Sequence, residues 1–362
     1  MARIRWTAST ASGSDRISPS SASRRNSGQQ AERMDTPATS VGTRRPPETR
    51  PHLEPAWEPA VCGCDEPHHT FGGRPGGIAV GPDGAVFVSS PSSGRIWRID
   101  ARDVSGGTVP PGGVRVDGTG MTPRSPAGLA VDESGTLAVA DSTGHRVWAL
   151  TPTGTCTVVA GSTYGHRDGP AGEALFRYPS DVAIGPDGTW YVADTGNHCI
   201  RAISPGGIVT TLAGSIYGHA DGSGPDARFR EPSSLDVGDD GSCYVADAGN
   251  NSVRRVTPDG VATTLAGMAP GGDADGTGAE VGLRWPTGIA ASHDGGVWVA
   301  DHGNGTLRLI DSHGRSTTVL RCAGRHWPVV VAVAAGGVVT AADVLDEELR
   351  PGTCLVPVGT RL

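Results

Sequence analysis

An all-β fold of repeated four-stranded antiparallel units, closing into a six-bladed β-propeller behind a disordered N-terminal tail, is what this 362-residue sequence predicts. Three observations carry that expectation: an excess of turn-forming residues, a proline–strand–acid pattern that recurs six times, and Asp-Gly pairs between short apolar runs. The chain holds 55 Gly and 28 Pro, about 23% together against about 12% in average usage. Gly and Pro are the poorest helix formers, which excludes a long helical bundle. Gly has no strict period of three, which excludes collagen. The longest apolar run, Trp327 to Ala335, is interrupted by Pro328 and falls short of the roughly 20 residues needed to cross a bilayer.

The first element is the tail. Residues 1–60 are rich in Ser, Arg, Pro, Thr and Ala and nearly free of aromatic and β-branched side chains, so they cannot bury enough apolar area to offset the entropy of ordering. Met34 is an alternative start within it. No apolar signal core follows Arg3 and Arg5, and the seven Cys are irregularly spaced, so a reduced, cytoplasmic, monomeric protein is expected. The tail has nine Arg and six acids; the remainder has 21 Arg and 32 acids, a net −11. That acidic body argues against broad nucleic-acid binding, which needs a positive footprint. Residues 61–70 form a junction. There Cys62-Gly-Cys64 and His68-His69 offer metal-ligand chemistry at a spacing foreign to zinc sites, and inert thiols are expected.

The propeller elements occupy 71–362. Prolines at 75, 126, 179, 232, 286 and 328 each precede an apolar strand, and the position fifteen residues later holds Ser90, Asp141, Asp194, Asp247, Asp301 and Asp343. Within each unit, the first strand is followed by a Gly turn such as Asp187-Gly188 or Asp240-Gly241, a strong hairpin signal. The second strand, Trp190 to Asp194 in the third unit, ends at the acid. A polar turn leads to the third strand (Ile200 to Ile203), and a second Gly turn leads to the fourth (Val209 to Gly214). A long loop then returns to the next proline. Such units bury both faces by closing into a ring.

The stretch Pro179 to Gly214 carries Pro-x-x-apolar-Ala-apolar, Asp-Gly, Val-Ala-Asp-Thr-Gly-Asn-His, Ile-Arg and Thr-Leu-Ala-Gly, and Pro232 to Gly267 nearly repeats it. These residues resemble the NHL-repeat β-propeller family, as found in bacterial repeat proteins. The resemblance covers about four fifths of the chain and implies fold more strongly than function, since the family spans protein binding, RNA binding, sensing and catalysis. The related lyase that cleaves peptidyl-hydroxyglycine holds metal on His directly after the repeat proline. Here Gly76, Ala127, Ser180, Ser233, Thr287 and Val329 stand there. Lactonase-like propellers use an axial calcium site, for which Asp181 and Asp236 are the acids near the strand-one starts. No metal and no cofactor is expected.

Strand polarity places the turn after strand two and the long loop on one face, and the Gly turns on the other. Loops on a rigid scaffold carry function, so the long-loop face is the candidate. Residues that recur from unit to unit (Asp141, Asp194, Asp247, Asp301; Asn197, Asn250, Asn304; Asp168, Asp221, Asp275) are expected to be architectural, the first set as caps of the tight turn that follows. Residues near the proline vary more. Arg124, Arg177, Arg230 and Arg284 stand two before it, and Tyr178 and Trp285 immediately before it. Either these Arg form an anion site at the channel mouth, or each pairs with a neighbouring unit's Asp. His166 and His219 occupy equivalent long-loop positions and join the candidate set, while His145, His198 and His302 lie in the polar turns. Cys199 and Cys243 read as small core residues. Two functions follow. The first is a protein-, peptide- or ligand-binding module acting through the long-loop face. The second is a lyase or hydrolase of a small anionic substrate at the channel mouth.

Overall fold

The computed structural model describes residues 60–62, 74–100, 122–268, 270–322, 326–334, 337–345 and 351–358. The tail up to residue 59, and Cys64, His68 and His69, lie outside the described residues. The architecture is an all-β propeller of antiparallel sheets, ordered along the chain and numbered here from first to sixth. The second sheet holds Pro126–Val131, Leu137–Asp141, Arg146–Leu150 and Cys156–Ala160. In the third and fourth sheets the long loop adds a short fifth strand: Gly169–Pro170 pairs with Ile208–Gly214, and Gly222–Ser223 pairs with Val261–Gly267. Their inner strands are Asp181–Ile184 and Pro232–Val237.

Five sheets have the form of blades, and not the six four-stranded blades that the sequence predicts. Five sheets are built on inner strands of four to six residues. The sixth is a meander of three long strands, His326–Ala334, Gly337–Leu345 and Pro351–Val358. The reason lies in register. In the second, fourth and fifth sheets the proline pairs with the acid that ends strand two: Pro126 with Asp141, Pro232 with Asp247, Pro286 with Asp301. In the sixth, Pro328 pairs with Ala342, Asp343 pairs with Trp327, and the strand runs on to Leu345, so no turn follows the acid. The first sheet (Gly77–Val80, Val86–Ser90, Arg95–Ile99) also shows three strands among the described residues. A strand not expected from sequence, Ala60–Cys62, runs parallel to Ser316–Cys322 on the outer edge of the fifth sheet.

Alternating apolar residues on both faces of each sheet form six clusters, one at each junction between neighbouring sheets. Ile78, Val88 and Trp97 of the first sheet meet Val330 and Ala332 of the sixth, so the ring closes by apolar contact. Phe176 and Phe229, fully buried, come from the long loops and plug the outer ends of two junctions.

The acid at the end of strand two is buried in four sheets. Its expected role as a cap of the following turn holds for Asp141, which accepts from the Gly144 N–H at 3.1 Å. The turns after Asp194, Asp247 and Asp301 have no side-chain cap. Instead each carboxylate reaches back 17 residues to the backbone N–H of Arg177, Arg230 or Arg284, at 2.7 Å in every case. Its other oxygen accepts from Asn197, Asn250 or Asn304. It also meets a wholly buried guanidinium of strand three: Arg201 on Asp194 at 2.8 Å, Arg254 on Asp247 at 3.0 Å, Arg308 on Asp301 at 3.0 Å. In the second sheet Trp148 takes that place and donates to Asp141 at 3.3 Å. Each buried Arg also reaches the Asp of the long loop, Asp168, Asp221 or Asp275. Burial pushes Asp247 up to about 6, against the pull of Asn250, the Arg230 N–H and Arg254. Arg254→Ala would strand that carboxylate in the interior. The expected cost is about 3–5 kcal/mol, read as a lower midpoint in urea unfolding against Arg255→Ala, whose exposed ion pair with Asp240 contributes about 1 kcal/mol at most.

Candidate functional site

The long-loop face is assembled from two kinds of segment. The turns after strand two enter left-handed backbone at their last residue, and so do the residues just before the prolines of the third, fourth and fifth sheets. His145, His198 and Asn251 have φ of 56°, 56° and 53°; Tyr178, Glu231 and Trp285 have 49°, 53° and 50°. These strained residues meet in pairs across the junctions between sheets. His145 Nδ1 accepts from the Tyr178 N–H at 3.2 Å, His198 Nδ1 from Glu231 at 3.3 Å, and Asn251 Oδ1 from Trp285 at 2.8 Å. The His of the turns are therefore clasps between neighbouring blades. Burial lowers the pKa of both His145 and His198, keeping the neutral ring that can accept.

Above the clasps lie aromatic and cationic side chains. Tyr164 and Tyr178 pack edge-on against His145 with centroids 5.4 Å and 4.8 Å from it, and 6.0 Å from each other. Arg177 lays its guanidinium 5.1 Å from the Tyr164 ring centre. One repeat on, Tyr217 packs on His198 at 5.3 Å and Arg230 sits 4.9 Å from the Tyr217 ring centre. Gly196 makes room for the stem of Arg177: a Cβ there would stand 2.6 Å from Arg177 Cγ.

The structure brings Arg177, Tyr178 and the unforeseen Tyr164 together, and Arg230 with Tyr217. It places Trp285 on the next clasp and leaves Arg124 and Arg284 exposed, their backbone N–H groups on Asp141 and Asp301. Among the described residues, none of Arg177, Arg230, Arg124 and Arg284 has a side-chain ion pair or hydrogen bond, so none pairs there with a neighbouring unit's Asp. His166 and His219 are held on Thr211 and Thr264, at 3.2 and 3.3 Å, in the outer strands of their own sheets. Among the described residues no group of three or more His, Cys, Asp or Glu could hold a metal ion. Cys199 and Cys243 are buried and burial raises their pKa values. The signal for the missed tyrosines was present: Tyr-Gly-His occurs at 164–166 and at 217–219, each Tyr thirteen residues before its Arg.

On the axis, the inner strands enclose a cavity of about 270 Å³ lined by small and aliphatic side chains and by Asp181, Ser234, Asp236, Asp239, Ser292 and His293. None of the four candidate Arg lines it. Asp181 accepts from Ser234 Oγ at 2.6 Å and the Leu235 N–H at 3.0 Å, and Asp236 accepts from the Ala291 N–H at 2.8 Å, so each ties its inner strand to the next. Burial pushes Asp181 up to about 7 and Asp236 up to about 6.

Comparison with known proteins agrees with this geometry. The NHL repeat family matches residues 124–150 and 176–203. The Arabidopsis thaliana protein SUPPRESSOR OF QUENCHING 1, chloroplastic, is 29% identical over 182 residues, covering 46% of this chain and 17% of that protein. NHL repeat-containing protein 2 of Bos taurus is 26% identical over 229 residues, covering 53% of this chain and 31% of that protein. The chain thus spans less than a third of the length of these relatives. Among solved structures, a streptogramin B lyase superposes with a TM-score of 0.53 at 16% identity, covering 81% of this chain and 87% of that one. A putative gluconolactonase gives 0.55 at 14% identity, covering 82% and 93%. At such identity these show a shared fold.

Two predictions follow from the clasps and the axis. His198→Asn places in the left-handed turn the residue already present at 251, and stability should stay within about 0.5 kcal/mol of the parent. His198→Ala loses the acceptor and keeps the strained backbone, at about 1–2 kcal/mol; thermal unfolding near neutral pH distinguishes them. For the axis, native Asp181 holds a proton that the unfolded chain releases at lower pH. Its contribution to stability is therefore complete below about pH 4 and is lost as pH rises to about 7. Asp181→Asn should flatten that decline in urea unfolding between about pH 4 and about pH 8, and an unchanged slope would assign it to other groups.

Proposed function

We propose that this NHL-repeat propeller, six sheets around one axis, is a binding module that docks a protein or peptide on its long-loop face. One observation carries the reading. Of the seven large apolar side chains exposed among the described residues, six (Tyr164, Tyr178, Ile216, Tyr217, Met268 and Trp285) stand on the long loops, and only Ile208 stands at a Gly turn. Tyr, Trp, Met and Arg are the residue types enriched where proteins meet, and scattered exposure would not favour one face. Tyr and Trp add large contact area with few rotatable bonds, and Arg supplies directional hydrogen bonds at the rim.

A lyase or hydrolase remains the second reading, favoured by Asp181, whose pKa of about 7 suits a proton carrier near neutral pH. Its anionic substrate fits poorly, because carboxylates and no Arg line the axial cavity. The first reading is tested by placing a photo-crosslinking amino acid at position 217 or at position 208 of the full chain in cells. Docking on the long loops gives a discrete crosslinked product from 217 that 208 does not give, and Tyr164→Ala combined with Trp285→Ala abolishes it. Equal products from both faces, or none from 217, would reject the reading.

A further inference from the structure

We infer that the partner of the long-loop face presents carboxylate side chains, as an acidic peptide segment, and that Arg177 on Tyr164 and Arg230 on Tyr217 are two successive receptors for them. This rests on the docking reading above and names its partner's chemistry.

The fold contains its own template for the contact. Arg201 lies over the Phe176 ring at 5.1 Å and Arg254 over Phe229 at 4.9 Å. Stacking uses the face of a guanidinium and leaves its N–H edges free, and there Asp194 and Asp168, or Asp247 and Asp221, complete the arrangement. The outer pair repeats the stacking at nearly the same distances, 5.1 Å on Tyr164 and 4.9 Å on Tyr217. Both outer Arg are exposed, and among the described residues no ion pair or hydrogen bond of either side chain fills those edges. Glu231, next to Arg230 in sequence, forms no ion pair with it and turns its backbone N–H to His198 instead. The edges are thus held ready, on rings that limit guanidinium motion, with the acid missing.

Carboxylate fits better than a polyanionic nucleic acid. Residues beyond 60 carry 21 Arg against 32 acids, so the basic groups are local points on an acidic body and not a continuous footprint. One guanidinium per repeat, each on its own ring, matches singly charged side chains spaced along an extended peptide. The exposed side chains of Tyr178 and Ile216, adjacent in sequence to Arg177 and Tyr217, give that peptide apolar contact.

The test is display selection of short random peptides on the immobilised full chain, with the best peptide then measured by fluorescence anisotropy. The expected pool is enriched in Asp and Glu over its input. Replacing the acids of the best peptide with their amides, or combining Arg177→Gln with Arg230→Gln, should each weaken binding at least about tenfold, while Arg255→Gln on the opposite side leaves it unchanged. The amide peptide needs no protein variant, so a folding defect cannot mimic its result. Combining Arg177→Glu with Arg230→Glu should shift the enriched pool toward basic peptides. Enrichment without acidic excess, equal binding of the amide peptide, or no enrichment overturns the inference. So does stronger competition by a single-stranded oligoribonucleotide than by the peptide, which would assign these Arg to nucleic acid. If position 217 still crosslinks while the acidic preference is absent, this inference alone fails; if the crosslink fails as well, the docking reading goes with it.

Discussion

A carboxylate buried at the end of strand two governs the arrangement of each regular blade. It joins three segments far apart in sequence: its own strand, the residue two before the proline, and the buried Arg of strand three. A buried ion pair by itself is weak evidence of stabilisation, since desolvation offsets much of the attraction. Here the geometry does more than pair charges. The carboxylate fixes where the long loop ends, because it accepts from the backbone N–H two residues before the proline. The Arg holds that loop near its middle, through Asp168, Asp221 or Asp275, whose pKa values at 168 and 221 stay low although burial opposes it. The loop is thus pinned at its middle and at its end, and it displays side chains between those points.

Two sets of Arg divide the work that follows. The terminal nitrogens of the inner set are held by Asp and by backbone carbonyls such as those of Leu175 and Arg228. The outer set shares with it the stacking on an aromatic ring but contributes only its backbone to the carboxylate network. Changes in the outer side chains therefore leave the blade's internal bonds in place, whereas changes in the inner ones do not. The axis shows the same division: Asp181 and Asp236 line the cavity, and each accepts on one oxygen from its own strand and on the other from the next inner strand.

Much of the fold was legible because its signals are local and repeated. Proline offsets, Asp-Gly turns and period-two strands are short-range features, and repetition confirms each one. The register of the sixth unit was not, since the count from Pro328 to Asp343 matches the other units while pairing does not. Register depends on the neighbouring strand, which spacing alone cannot report. The same limit explains the acids: Asp194 next to a tight turn reads as a cap, and only the three-dimensional return of residue 177 shows its real partner. At the candidate site, Arg177, Arg230, Tyr178 and Trp285 were visible as positions beside the proline. Their setting was not, because Tyr164 and Tyr217 lie thirteen residues upstream, across a loop whose path is not periodic.

The left-handed residues of the clasps bear on which face functions. Each non-Gly residue at positive φ costs about 1–2 kcal/mol relative to the right-handed alternative, and glycine would occupy the position freely. The turn members of the clasps account for themselves, since His145, His198 and Asn251 accept a hydrogen bond that glycine could not. The members before the proline do not: Tyr178, Glu231 and Trp285 donate through backbone N–H groups that glycine also has. The hydrogen bond of each clasp thus needs none of these side chains, although the Tyr178 ring also packs on His145, and Tyr178 and Trp285 leave nearly half their surface in solvent. Folding stability favours glycine at these three positions, and the large side chains exposed there accord with the docking proposed for that face.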